Sequence, residues 1–107
     1  MSNDPNRAVK GKPGGKTGLF SGKVSMNKVE TPGDILVTRM TEPAMLPDIM
    51  MAAAVVTDEG GTLCHAALVC MELGIPFVVG TKTATKVLRN GDFVEVNTST
   101  GTVRVME

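Results

Sequence analysis

Residues 57–80 read Thr57-Asp58-Glu59-Gly60-Gly61-Thr62-Leu63-Cys64-His65-Ala66-Ala67-Leu68-Val69-Cys70-Met71-Glu72-Leu73-Gly74-Ile75-Pro76-Phe77-Val78-Val79-Gly80. The stretch opens where a short β-branched run, Ala53-Ala54-Val55-Val56-Thr57, reaches a glycine pair. It then enters an apolar run of helical length, Cys64 to Leu73, bounded by Gly74 and Pro76. Gly74 is a helix stop, and Phe77-Val78-Val79 reads as a short buried strand. Strand, glycine loop, helix and strand in that order define an α/β unit, and the loop carries the only histidine of the chain, His65.

On either side of this unit the same alternation continues. Ile35-Leu36-Val37-Thr38, after the turn signal Gly33-Asp34, reads as a buried strand. Thr41-Glu42-Pro43 reads as a helix start with Thr41 as the cap, and places Met45, Leu46, Ile49 and Met50 on one face. Thr81 to Leu88 reads as a surface helix stopped by Asn90-Gly91, with Lys82, Lys86 and Arg89 on a solvated side. Phe93-Val94-Glu95-Val96 and Thr102-Val103-Arg104-Val105 alternate around a turn at 98–101, the pattern of a hairpin. Residues 1–19 carry hardly any apolar side chain and read as a flexible arm or linker, with the globular domain at 20–107. The fold class is α/β (α+β), a single compact β/β/α sandwich.

Composition bounds the function. The chain has 107 residues, enough for one domain that folds without staples. With no Trp or Tyr and three Phe, its core is aliphatic. Eleven basic and eleven acidic residues cancel, which leaves no nucleic-acid footprint. No run approaches the roughly 18 apolar residues of a membrane span, and two cysteines are too few for a secreted disulfide scaffold. A cytoplasmic location with free thiols is the expectation. Six residues apart on one helix, Cys64 and Cys70 lie about 9 Å apart along its axis, too far for a bridge. With His65 they do not make a zinc set either, so no metal site is expected. Lys10 to Thr17 ends like a phosphate-binding P-loop, but Lys10 stands where the pattern needs its first glycine, and no strand precedes it.

The histidine loop holds the chemistry. Backbone N–H groups and the helix dipole make a glycine loop at a helix N-terminus an anion site. A neutral imidazole presents one ring nitrogen as a donor and the other as a lone pair able to attack an electrophile. A neutral, nucleophilic ring beside an anion cradle is suited to accepting a phosphoryl group.

These residues resemble the histidine motif of the mobile, or swivelling, phosphohistidine domain of phosphoenolpyruvate-utilising enzymes, a family that includes phosphoenolpyruvate synthase, pyruvate phosphate dikinase, enzyme I and rifampin phosphotransferase. The resemblance runs from Asp34 to Val105. It includes Asp34 to Thr38 with Thr41-Glu42-Pro43, and Gly74-Ile75-Pro76 with Val78-Val79-Gly80. It implies that His65 is transiently phosphorylated and relays phosphate from a nucleotide site to a phosphoenolpyruvate/pyruvate site or another acceptor. It also implies that Thr57 and Asp58 fix the loop, that Gly60 and Gly61 admit the phosphate, and that Cys64 supports the ring, with Ala66 and Ala67 matching behind it. No cofactor is expected on this domain itself. ATP, Mg²⁺ and phosphoenolpyruvate are expected on partners, an ATP-grasp nucleotide-binding domain and a phosphoenolpyruvate/pyruvate-binding barrel or other acceptor domain, acting in trans or in a longer parent chain. Leu63 departs from the Thr of several members, and Cys70-Met71 stands where the family usually reads Ala-Arg, removing a guanidinium fork. That loss gives weight to a second expectation, a non-catalytic regulatory domain like the one appended to some bacterial pyruvate kinases.

Overall fold

The computed structural model describes residues 7–106. Eight strands form one sheet: β1 (Ala8–Lys10), β2 (Lys12–Gly14), β3 (Leu19–Met26), β4 (Ile35–Thr38), β5 (Ala54–Thr57), β6 (Phe77–Val79), β7 (Phe93–Asn97) and β8 (Thr102–Val105). Their order is β1-β8-β7-β3-β4-β5-β6-β2. Strands β3 to β6 run parallel, while β7, β8, β1 and β2 pair antiparallel. Three short helices complete the described residues, α1 (Leu46–Met51), α2 (His65–Leu73) and α3 (Ala84–Val87), with a 3-10 turn at Pro43–Met45 before the first. No helix among the described residues is long and apolar enough to cross a membrane.

The expected sandwich takes the form of one curled sheet that nearly closes into a barrel. Strands β1 and β2 stand at opposite ends of the order, yet only Gly11 separates them. The two ends therefore meet. This corrects the reading of residues 1–19 as a flexible arm. Residues 8–10 and 12–14 are paired strands, and the Arg7 guanidinium donates to the Val87 carbonyl at 2.9 Å and pairs with Asp92. Residues 1–6 of that expected arm lie outside the described residues. The P-loop lookalike is the closing segment itself.

Every residue of β4, β5 and β6 is buried, because both faces of these strands meet a core. Ile35, Val37, Ala54, Val56 and Val78 point into one cluster, shared with Val94, Val96 and Val103 of the antiparallel half. Leu36, Val55, Phe77 and Val79 point the other way, against Ile49 of α1 and Ala66, Ala67 and Cys70 of α2.

The helices depart from expectation in detail. Thr41 caps nothing; Glu42 occupies the cap of the 3-10 turn, and α1 starts only at Leu46, with Pro47 in its first turn. Of its expected apolar face only Ile49 is fully buried, while Leu46 and Met50 are exposed. Helix α2 is not wholly buried, since Leu68, Met71 and Leu73 face solvent. Helix α3 is cut to a single turn, with Ala84 and Leu88 drawn into the core.

Closure depends on backbones that approach too closely for side chains. A Cβ at Gly11 would lie 2.3 Å from the Val79 carbonyl oxygen, and one at Gly101 (φ +79°) would lie 2.3 Å from that of Gly11. Gly101→Ala is expected to cost at least about 2 kcal/mol, combining left-handed strain with a backbone collision. The melting temperature then falls by about 10 °C. Gly91→Ala, also at positive φ but with open space around it, should lose about half as much. Thermal denaturation of the two variants checks the difference, and equal losses would show that closure adds nothing.

Candidate functional site

Parallel strands bring their carboxyl ends to one edge, and the segments that follow β4, β5 and β6 meet there. Main-chain bonds stitch them together. Asp58 N–H donates to the Thr38 carbonyl at 3.2 Å and Glu59 N–H to that of Arg39 at 3.0 Å. Across the other side, Thr81 N–H donates to the Thr57 carbonyl at 3.1 Å and Lys82 N–H to that of Asp58 at 2.8 Å. Side chains add to the frame. The Thr57 hydroxyl donates to the Glu59 carbonyl at 2.6 Å, bending the chain as it leaves β5. The buried Asp58 carboxylate accepts from Thr85, including its backbone N–H at 2.8 Å.

Gly60 (φ +110°) turns the chain toward α2, and a Cβ there would stand 2.7 Å from Cys64 Sγ. The thiol occupies the space a side chain at position 60 would need. Cys64 is the N-cap residue but makes no side-chain capping bond, and it makes no hydrogen bond to the histidine ring. The first bond inside α2 runs from Leu68 N–H to the Cys64 carbonyl at 3.0 Å. The N–H groups of His65, Ala66 and Ala67 thus have no partner within the helix, the arrangement that favours an anion.

His65 is the first residue of α2 and half-buried. Its Nδ1 lies 2.8 Å from Thr41 Oγ1, and Thr41 is 4% exposed. Nε2 has no hydrogen-bond partner among the described residues. A shallow cavity of about 120 Å³ opens beside the ring, lined by Met40, Thr41, Thr57, Glu59, Gly60, Cys64, His65 and Ala66. The site residues singled out in the sequence divide accordingly. Thr57, Gly60, Cys64, His65 and Ala66 line one cavity, Asp58 supports it from behind, and Gly61 joins Gly60 to the helix entry. Sequence reading missed the role of Thr41, which stands 24 positions before the ring it holds; the only available signal was a threonine just past a strand's carboxyl end.

The described residues contain no group of three or more His, Cys, Asp or Glu that could hold a metal ion. Both cysteines are free. Burial in the core pushes the Cys70 thiol up to about 12, with a smaller push from neighbouring Cys64.

The sequence that folds into this nearly closed sheet matches a known family. Residues 30–101 match the model of the mobile domain of PEP-utilising enzymes, and the chain belongs to that family. A probable phosphoenolpyruvate synthase of Archaeoglobus fulgidus is 55% identical over 97 residues, 84% of this chain and 13% of the relative. The chain thus spans about an eighth of the length of the curated relatives it matches. Among solved structures, an Enzyme I solution structure shares 31% identity with a TM-score of 0.59, covering 72% of this chain and 32% of that one. Aconitase X of Thermococcus kodakaraensis, at 19% identity, shares the fold with a TM-score of 0.64, covering 94% of this chain and 98% of that one.

The two thiols provide a test of the packing beneath the site. Iodoacetamide should alkylate Cys64 in the folded chain and reach Cys70 only after denaturation. An unfolded Cys70 thiol ionises near 9.0 and the folded one near 12, so between those values the unfolded state binds fewer protons. Stability is therefore expected to fall as pH rises above about 9, and Cys70→Ala should flatten that fall in denaturant titrations. Equal alkylation of both thiols in the native chain would contradict the burial.

Proposed function

We propose that this chain is a phosphoryl carrier in which Nε2 of His65 accepts a phosphoryl group and passes it on. The observation that carries the reading is the pairing of Nδ1 with the Thr41 hydroxyl at 2.8 Å while Nε2 is left unpartnered. With Nδ1–H donating to Thr41, the Nε2 lone pair is free. It attacks phosphorus, the bond from phosphorus to the leaving oxygen breaks, and that oxygen keeps the electron pair. The phosphorylated ring retains its Nδ1 proton on Thr41, and its oxygens face the open N–H groups at the start of α2. Transfer onward reverses these roles: an acceptor oxygen attacks phosphorus and loses its proton to solvent, the bond from Nε2 to phosphorus breaks, and its electron pair returns to Nε2 to restore the neutral ring.

The family supports this reading, as does the likeness to phosphoenolpyruvate synthases and Enzyme I. A nucleotide-binding domain with ATP and Mg²⁺ would serve as donor. A phosphoenolpyruvate/pyruvate-binding barrel or another acceptor would complete the cycle, with the domain swivelling between them. The relatives' much greater length leaves room for such domains. The regulatory alternative draws on Met71, exposed where the family usually carries Arg.

Phosphoramidate, which phosphorylates imidazole without an enzyme, tests the nucleophile directly. The chain should gain one acid-labile, base-stable phosphate, visible by ³¹P NMR and absent in His65→Ala. Thr41→Val should slow this reaction about tenfold, the loss of one orienting hydrogen bond, while Thr41→Ser retains it. The same label should then come from radiolabelled ATP or phosphoenolpyruvate in a lysate of the source. A folded chain that takes phosphate from none of these donors would favour the regulatory reading.

A further inference from the structure

Next to the histidine cavity, and sharing Glu59 and Gly60 with it, lies a larger open groove of about 530 Å³. Its walls are Lys12, Arg39, Asp58, Glu59, Gly60, Gly80, Lys82 and Lys86. Four cations thus face one groove in a chain whose formal net charge is zero. The two carboxylates there are already engaged, Asp58 by Thr85 and Glu59 by Arg39. Lys12, Lys82 and Lys86 are exposed and make no ion pair among the described residues. The closing strand β2 brings Lys12 here, with Nζ 3.9 Å from where a Cβ of Gly61 would stand. Lys82 holds a left-handed conformation at φ 72° that ordinarily favours glycine. Gly60 and Gly80 present bare backbone in the wall of the same groove.

We propose that this groove is a polyphosphate subsite. It binds the phosphate groups of a nucleoside di- or triphosphate that are not transferred, while the phosphoryl group in flight faces His65. The proposal builds on the carrier reading, which would otherwise leave these three unpaired lysines without a task. Lysine ammonium groups on long stems suit a chain of phosphates, whose charges are spread over several ångströms, better than a single planar carboxylate. The shared rim at Glu59 and Gly60 makes groove and cavity contiguous, so one extended anion can occupy both.

The test titrates the intact chain with inorganic pyrophosphate and with inorganic phosphate, at ionic strength matched with sodium chloride, following backbone amides by NMR. Pyrophosphate should give saturable shifts at Gly60, Gly61, Gly80 and Lys82, with tighter binding than phosphate. Lys12→Ala with Lys86→Ala should weaken pyrophosphate about tenfold, whereas Lys23→Ala, outside the groove, should not. Lys82→Gly should also weaken binding without lowering the melting temperature, because glycine accepts the left-handed backbone. Shifts that fail to saturate, or that the variants leave unchanged, would overturn the subsite. Such a result would point the lysines toward an acidic protein surface instead. Phosphoramidate labelling of the same samples separates the two ideas. A His65 that takes phosphate on a chain that ignores pyrophosphate overturns the subsite alone, while saturable pyrophosphate binding on a chain that refuses phosphate supports the subsite and removes the carrier.

Discussion

One residue wide, the connection between β1 and β2 is the constraint on which the rest of the structure depends. Gly11 must leave β1, paired with β8, and enter β2, paired with β6 at the far end of the sheet. Its own N–H donates to the Gly101 carbonyl at 2.9 Å, which ties the turn of the terminal hairpin to the closing point. With both ends of the strand order pinned to adjacent residues, the sheet has to curl. Curling encloses the Val-rich cluster between the antiparallel and parallel halves. It also covers the edge of β6 with a strand, an edge that would otherwise offer unpaired backbone to other chains.

A more local constraint, at the carboxyl ends of the parallel strands, sets the geometry of the site. The parallel strands β4, β5 and β6 end together, and the loops that follow are joined by main-chain hydrogen bonds, reinforced by the Arg39–Glu59 pair and by Asp58 on Thr85. Such bonds leave little freedom to the Gly60 turn, and Cys64 Sγ packed against Gly60 fixes the entry into α2. His65 therefore stands on a rigid edge with its ring oriented by Thr41. Preorganised donors that need no rearrangement as charge develops are where enzymes gain most electrostatically.

Much of this was legible in the sequence, and the rest was hidden for identifiable reasons. Strands at Ile35–Thr38, Ala54–Thr57 and Phe77–Val79 are short continuous apolar runs, and the hairpin at Phe93–Val105 alternates with a turn between. Local pattern suffices for these, and for the stop of α2 at Gly74, which adopts φ 73°. Strands β1 and β2 have no such pattern. Lys12-Pro13-Gly14 is a three-residue edge strand whose partner lies more than sixty positions away, so its order comes from tertiary pairing that propensity does not register. Thr41 looked like a cap because threonine before Glu-Pro fits that role locally, and its true partner is on another helix. The histidine loop itself was legible because glycine pair, histidine and helix are contiguous. The cationic groove was not, because Lys12 joins Lys82 and Lys86 only through the closing pairing of β2 with β6.

Helix α2 shows how packing divides a run that sequence presents as uniformly apolar. Ala66, Ala67 and Cys70 form its buried side, and their small size lets the helix lie close on Leu36, Val55 and Phe77. The larger Leu68, Met71 and Leu73 remain 44–56% exposed, and Leu63 in the preceding loop is 81% exposed. A helix of nine residues that buries two alanines and a thiol gains modestly from apolar transfer alone. What fixes its start is the loop geometry behind it, the turn at Gly60 and the bond from Cys64 N–H to the Gly61 carbonyl at 3.1 Å. The position of His65 therefore depends more on the glycine loop than on the grip of the helix, and disturbance of Gly60 should reach the ring sooner than disturbance of the helix's outer face.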